Sequence, residues 1–257
     1  MTLLGLLEKL LKWLFVASLF GLAIGWWNRD ALPDPGFYDK HIEEEPRQAK
    51  VEKAPFAVNA GNTAYQIAPL YRYQLDGVVV SMHHADSWWD IYHHDDWQDY
   101  LNLKDLCVIW GDNVRSAVYQ QMGFDNTTWT CWASWPNSEV GRLFQKDQLS
   151  NNHLLADRPE VQAAILAARP GDQVRFSGYL AEYRNPATGF YRKTSTVRTD
   201  GGNGACETVY VDRFEVVKQA NTGWRRLFDT SKWLAPLSLV GFIGLMAVTP
   251  VRRDTHR

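Results

Sequence analysis

The chain has 257 residues, a formal net charge of −2, 46% hydrophobic residues and 22% charged residues. That length supports one sizeable core or two small ones. The near balance of charge leaves no basic footprint, which argues against nucleic acid as a partner. The 12 tryptophans are the outstanding excess. Trp13, Trp26, Trp27, Trp224 and Trp233 flank the two most apolar segments, where amphipathic indoles settle at a lipid–water boundary.

The first of these segments, Trp13 to Asn28 (WLFVASLFGLAIGWWN), carries no charge, and Leu10 and Leu11 extend it past Lys12, whose ammonium can snorkel. About 20 apolar residues cross a bilayer core, so residues 1–29 are read as a cytoplasmic N-terminus and a first transmembrane helix. The run ends in Gly-Trp-Trp-Asn and not in a small-x-small pattern, which favours an uncleaved signal anchor over a cleaved signal peptide. Ala17, Gly21 and Gly25 recur every four residues and form a small-residue stripe that admits another helix closely.

Residues 30–62 hold Pro33, Pro35, Pro46 and Pro55 and the charged run HIEEEPRQAKVEK. Such a composition buries little apolar surface, so this segment reads as a stalk. A β-rich domain is expected over residues 63–222. In it Tyr71, Tyr73 and Leu75 alternate with Arg72, Gln74 and Asp76, then Gly77 leads into Val78–Val80: a strand with a kink at the glycine. Ser87 and Asp90 have capping-box spacing for a helix from Trp88, with Trp89, Tyr92, Trp97, Tyr100 and Leu101 as its apolar face. Leu106 to Trp110 reads as a buried strand, and Thr127 to Ala133 has strand composition. Asp157 precedes Arg158-Pro159 and VQAAILAA, the start signal of a helix that Pro170-Gly171 ends.

The last part of the domain is the most regular. QVRFSGYLAEY, FYRKTSTVR and ACETVYVDRFEVV are three strands joined at NPATG (185–189) and DGGNG (200–204), an antiparallel meander. Val209 and Val211 share one parity and Phe214 and Val216 the other, which a bulge near Asp212 reconciles. The expected fold is therefore α+β and β-rich: a small antiparallel barrel or sandwich with one or two helices, flanked by transmembrane helices. The phrase GDQVRFSGYL (171–180) resembles a strand of an OB-type barrel.

Residues 223–251 form a juxtamembrane segment and a second span, Trp233 to Val251, also uncharged, with Gly241 and Gly244 as its small residues. Residues 252–257 form a tail. Lys9 and Lys12 before the first span, and Arg252, Arg253 and Arg257 after the second, place both termini in the cytoplasm. Arg225, Arg226 and Lys232 abut the second span on the other side, but a long loop translocates largely regardless of its charge. The central domain then faces outside the cytoplasm, in the periplasm if the membrane is a bacterial inner membrane.

Two of Cys107, Cys131 and Cys206 are expected to pair there, and no CxxC is present. His83, His84, His93 and His94 lie among Asp86, Asp90, Asp95 and Asp96. Adjacent histidines on a strand point to opposite faces, and Asp90 and His94 share a helix face, so a tractable metal set is His83 or His84 with Asp90 and His94. The same histidines beside carboxylates suit pH sensing. Ser150 and His153 are close in sequence but lack an evident third group, and no GxSxG, HExxH, P-loop or GxGxxG occurs. The expected function is a non-catalytic assembly, scaffold or accessory subunit with no cofactor, partnered by the bilayer and by other membrane subunits or a second copy. The alternative is an exported domain that binds a divalent transition metal at His83, His84, Asp90 and His94.

Overall fold

A computed structural model describes residues 3–85, 99–202 and 205–248. In chain order the elements are α1 (Leu3–Asn28), β1 (Arg47–Lys50), β2 (Phe56–Ala60), β3 (Thr63–His84), β4 (Asn102–Ile109) and α2 (Asp112–Arg115). They continue with β5 (Gly123–Asn126), β6 (Cys131–Ser134), α3 (Ser138–Leu143), β7 (Leu149–Leu155), α4 (Pro159–Ala167), β8 (Gln173–Arg184), β9 (Tyr191–Arg192), β10 (Glu207–Lys218) and α5 (Thr222–Val248). They divide into two compact units, residues 1–31 with 221–257, and residues 32–220.

The second unit is mixed α+β and rich in sheet. Its eight-stranded sheet runs β1-β3-β4-β7-β10-β8-β9, with β2 on β3 and a further pairing of β3 with β8. The 22 residues of β3 pair with four strands: β8 along Gln66–Val78, β4 along Val78–His84, β2 along Thr63–Ile67 and β1 along Tyr71–Gln74. All these pairings are antiparallel except β7 with β10, which is parallel. Pairing therefore passes from β3 through β4, β7, β10 and β8 back to β3, while β1, β2 and β9 lie outside that circuit. The sheet as a whole is larger than the small antiparallel barrel expected, mixed in direction and not a closed barrel.

Several local expectations need correction. The segment 30–62 expected as a stalk belongs, from Leu32 on, to the compact β-rich unit. Tyr38 and Ile42 are buried with Val78, Ile109 and Val118, and β1 and β2 hydrogen-bond along β3. Pro35 opens a short helical turn at Pro35–Phe37, Pro46 and Pro55 stand just before β1 and β2, and the charges pair locally: Arg47 with Glu44 at 2.9 Å and His41 with Glu44 at 3.2 Å. Gly77 does not kink β3. The register shifts fall at Pro69/Tyr71 and Val79/Ser81, and a Cβ at Gly77 would meet Val108 and the Ile109 carbonyl, so glycine is needed for close approach. The middle strand of the meander shrinks to Tyr191–Arg192, and β8 pairs directly with β10. The bulge falls between Val211 and Arg213, where Asp212 turns out to bind Arg72, Nη2 to Oδ1 at 3.2 Å. Helix α4 has proline in its first turn, but Arg158 and not Asp157 holds the cap position. The helix expected from Trp88 lies outside the described residues.

Leu106, Val108, Leu154, Phe176 and Val209 form the main core, which Val161 and Ile165 of α4 cover. Lys104 is buried there too, and its ammonium donates to the carbonyls of Leu166 and Ala168 at 2.9 and 2.8 Å. Those acceptors lie at the C-terminal end of α4, where the helix dipole favours a cation.

The first unit is a pair of helices, each long and apolar enough to cross a membrane. Ser18, Gly21 and Gly25 are the buried residues of α1, and Ser231, Ala235 and Ser238 those of α5. A Cβ at Gly21 would strike the Ser231 side chain, and one at Gly25 the backbone of Phe228. The Ser18 and Ser238 hydroxyls donate to carbonyls one turn back at 2.7 and 2.6 Å, so neither is left unsatisfied at this close contact. Ala17 is exposed, because positions 18, 21 and 25 follow the 3.6-residue repeat on this face and 17 does not. Gly241 faces Leu11, and Gly244 has nothing within 4 Å.

Candidate functional site

The polar groups of the β-rich unit gather where β4, β7 and β10 run side by side, and strand parity sorts them onto two faces. On one face His153 of β7 stands directly opposite Asp105 of β4, and both are wholly buried. His153 Nδ1 lies 2.6 Å from Asp105 Oδ1, which also accepts from Asn102 Nδ2 at 3.1 Å. Asp105 Oδ2 is buried and has no hydrogen-bond partner among the described residues. Arg192 of β9 reaches His153 Nε2 and lays its guanidinium 3.7 Å above the Trp129 ring, whose edge in turn meets the imidazole at 5.3 Å. A guanidinium only donates. Nε2 must therefore accept, and Nδ1 carries the proton toward Asp105, which holds His153 as one neutral tautomer.

Beside it, Asn151 donates to the Trp129 carbonyl at 3.1 Å, and the Cys206 thiol donates to the same carbonyl at 3.4 Å. Burial pushes that thiol above its ordinary pKa, the reverse of what an activated nucleophile needs. Cys107 and Cys131 form the disulfide, with Cα atoms 5.8 Å apart, tying the β5–β6 hairpin to β4 and leaving Cys206 as the free thiol.

On the opposite face Ser150 donates to Glu207, which also pairs with Arg198. Burial lifts the Glu207 carboxyl to about 7, against the opposing pull of Arg198 and Ser150. Ser150 and His153 thus belong to separate networks. They are three residues apart on a strand, so their side chains point to opposite faces and cannot act as nucleophile and base. The Asp105–His153 geometry resembles a base held by an orienting carboxylate, and its outer nitrogen faces the Arg192 guanidinium.

A separate cavity of about 250 Å³ is lined by His41, Glu44, Arg47, Gln74, Asp76 and Arg175. Its charges are spent on one another: Arg175 Nε donates to Asp76 Oδ2 at 2.7 Å, Gln173 Nε2 to Asp76 Oδ1 at 3.0 Å, and Arg47 to Glu44. By contrast Trp132, Trp135 and Leu143, from the β5–β6 hairpin and α3, are exposed.

Of the proposed metal set, His83 lies in register with Asp105 and His84 with Lys104, so the two histidines occupy opposite faces. Asp90 and His94 lie outside the described residues, and among the described residues no group of three or more His, Cys, Asp or Glu side chains is placed to hold a metal ion. The partners missed from sequence, Trp129, Arg192, Arg198 and Glu207, were findable only as charged or aromatic residues bordering strand-like runs. Lys104-Asp105 within the apolar NLKDLCVI was the plainest such signal. No family model, curated protein or solved structure matches the chain.

Proposed function

We propose that this chain is a two-span membrane protein that presents its β-rich unit outside the cytoplasm as a non-catalytic assembly, scaffold or accessory subunit of a membrane complex. The observation that carries the reading is a contrast within residues 32–220. The buried acids, bases and arginines are engaged with one another, while Trp132 on the hairpin fastened by the disulfide, Trp135 just after it and Leu143 of α3 stand exposed. Exposed large apolar side chains on a rigid support suit recognition of a protein partner. The five-strand circuit, with β1, β2 and β9 outside it and α4 between its third and fourth strands, is read as an OB-type arrangement, a scaffold used for binding. The Cys107–Cys131 pair supports an oxidising compartment for this unit, and the flanking basic residues support cytoplasmic termini.

The test is affinity purification of the full chain from native membranes in mild detergent, beside a Trp132→Ala/Trp135→Ala variant. A stoichiometric membrane partner that is lost or depleted with the variant is the expected result. A monodisperse monomer with no copurifying partner overturns the reading.

A further inference from the structure

The packing of α1 on α5 sets the depth of every residue along the pair. Gly21 meets Leu227 and Ser231, Gly25 meets Phe228, and Gly241 meets Leu11, so the helices run antiparallel in a single register. In that register Lys232 lies near the depth of Phe20, Asp229 near Ala23 and Arg226 near Trp26. The uncharged run of α1, Trp13–Asn28, therefore lies beside the charged opening turns of α5. The uncharged run of α5, from Trp233, lies beside Glu8, Lys9 and Lys12. At 1.5 Å per residue the depth uncharged on both helices is roughly 10 Å, against a hydrocarbon core of about 30 Å. Any slab of bilayer thickness placed on this pair takes in charged side chains.

The two sets differ in how lipid can accommodate them. Lys9 and Lys12 have long stems that reach toward an interface. Asp229 has no such reach. Arg226, Asp229 and Lys232 are all exposed, and their side chains make no ion pair or hydrogen bond with any described residue. At 100° per residue they fall within about 120° of arc around exposed Trp233, turned away from the buried Ser231–Ala235–Ser238 stripe. Unpaired charge at membrane depth is costly, and such residues pair within a bundle interior.

We infer that this face of α5 is the seat of a second subunit's transmembrane helix, one that brings a carboxylate to the depth of Arg226 and Lys232. The face carries two cations and one anion, so an acidic partner residue completes its charge. The inference rests on the accessory-subunit reading and adds to it the kind of contact made within the membrane.

The test uses the full-length chain in native membranes, with a photo-crosslinking residue at Trp233 and, separately, Thr230→Cys in a Cys206→Ser background. The expected results are a discrete protein adduct at position 233, weakened at least about threefold by Arg226→Glu/Lys232→Glu, and a Cys at 230 that a membrane-impermeant maleimide does not label. Retention of the Cys107–Cys131 disulfide in the charge-reversed chain shows that it still folds. Adducts with lipid alone, an adduct indifferent to charge reversal, or ready labelling at 230 in intact membranes each overturns the inference. If subunits still copurify through Trp132 and Trp135 while the photo-adduct is lipid only, the accessory role stands and this contact falls. If neither is found, both fall.

Discussion

Glu207 links the stability of the β-rich unit to pH. It is 3% exposed at the first position of β10, and burial raises its carboxyl from an ordinary 4.5 to about 7 despite Arg198 and the Ser150 hydroxyl. A carboxyl whose folded value exceeds its unfolded value takes up a proton on folding between the two. Its contribution is fully present below about pH 4.5 and is lost as pH rises through about 7. At about 1.4 kcal/mol per tenfold, that interval is worth about 3 kcal/mol. The perturbation is Glu207→Gln, which keeps the shape and abolishes the titration. Chemical denaturation of the detergent-solubilised chain at pH 5, 6, 7 and 8, followed by tryptophan fluorescence, gives the difference between wild type and variant, in which other titrating groups cancel. Wild type is expected to lose about 2.5 kcal/mol relative to the variant between pH 5 and pH 8, the rest of the interval lying below pH 5. A difference that stays constant, or a wild type that gains relative stability as pH rises, refutes the reasoning, because Arg198 would then be holding the carboxylate ionised.

Removing the disulfide by Cys107→Ser/Cys131→Ser opens a loop with a sequence separation of 24, so chain entropy predicts a loss of about 3.5 kcal/mol, read as a lowered denaturation midpoint without a change in α1–α5 packing. Asp105→Ala leaves the buried His153 N–H without its acceptor, and a loss of about 2 kcal/mol is expected by the same denaturation; a loss below about 0.5 kcal/mol would show that His153 is not held by Asp105. Gly25→Leu drives a side chain into the Phe228 backbone, costing about 1–3 kcal/mol of helix-pair stability, measured by loss of an engineered α1–α5 cysteine cross-link. Gly244→Ala meets nothing within 4 Å and is expected to leave that cross-link unchanged.

The parts of the fold read correctly from sequence were those where one local rule acts alone. Uninterrupted apolar runs marked both long helices and the buried strand around Val108, alternation marked the strands around Tyr73 and Phe176, and the change of parity between Val211 and Phe214 marked the bulge. Reading stopped where distant partners decide. The prolines and charges of residues 32–62 looked like solvated chain, yet Tyr38, Ile42 and Val58 find a surface offered by β3 and β4. FYRKTSTVR has strand composition, but Thr194 and Arg198 bond to Thr208 and Glu207 and draw it off the sheet after two residues. The polar networks were hidden for the same reason. Asp105 and His153 are 48 positions apart in sequence, and Ser150 and Glu207 are 57; only strand register shows which of them share a face. The stripe Ala17–Gly21–Gly25 was placed one residue off at its start, because a four-residue spacing drifts from the 3.6-residue turn that puts Ser18 at the contact.

Topology is the most direct measurement. Alkaline phosphatase, which folds only where disulfides form, is fused after residue 202 in one strain and after residue 257 in another, and carbonate-washed membranes are assayed for the chain. Phosphatase activity at 202, none at 257, and retention in the washed membrane are the results predicted for two bilayer-crossing helices with residues 32–220 outside the cytoplasm. Activity at 257 alone, or release of the chain by carbonate, would contradict that arrangement.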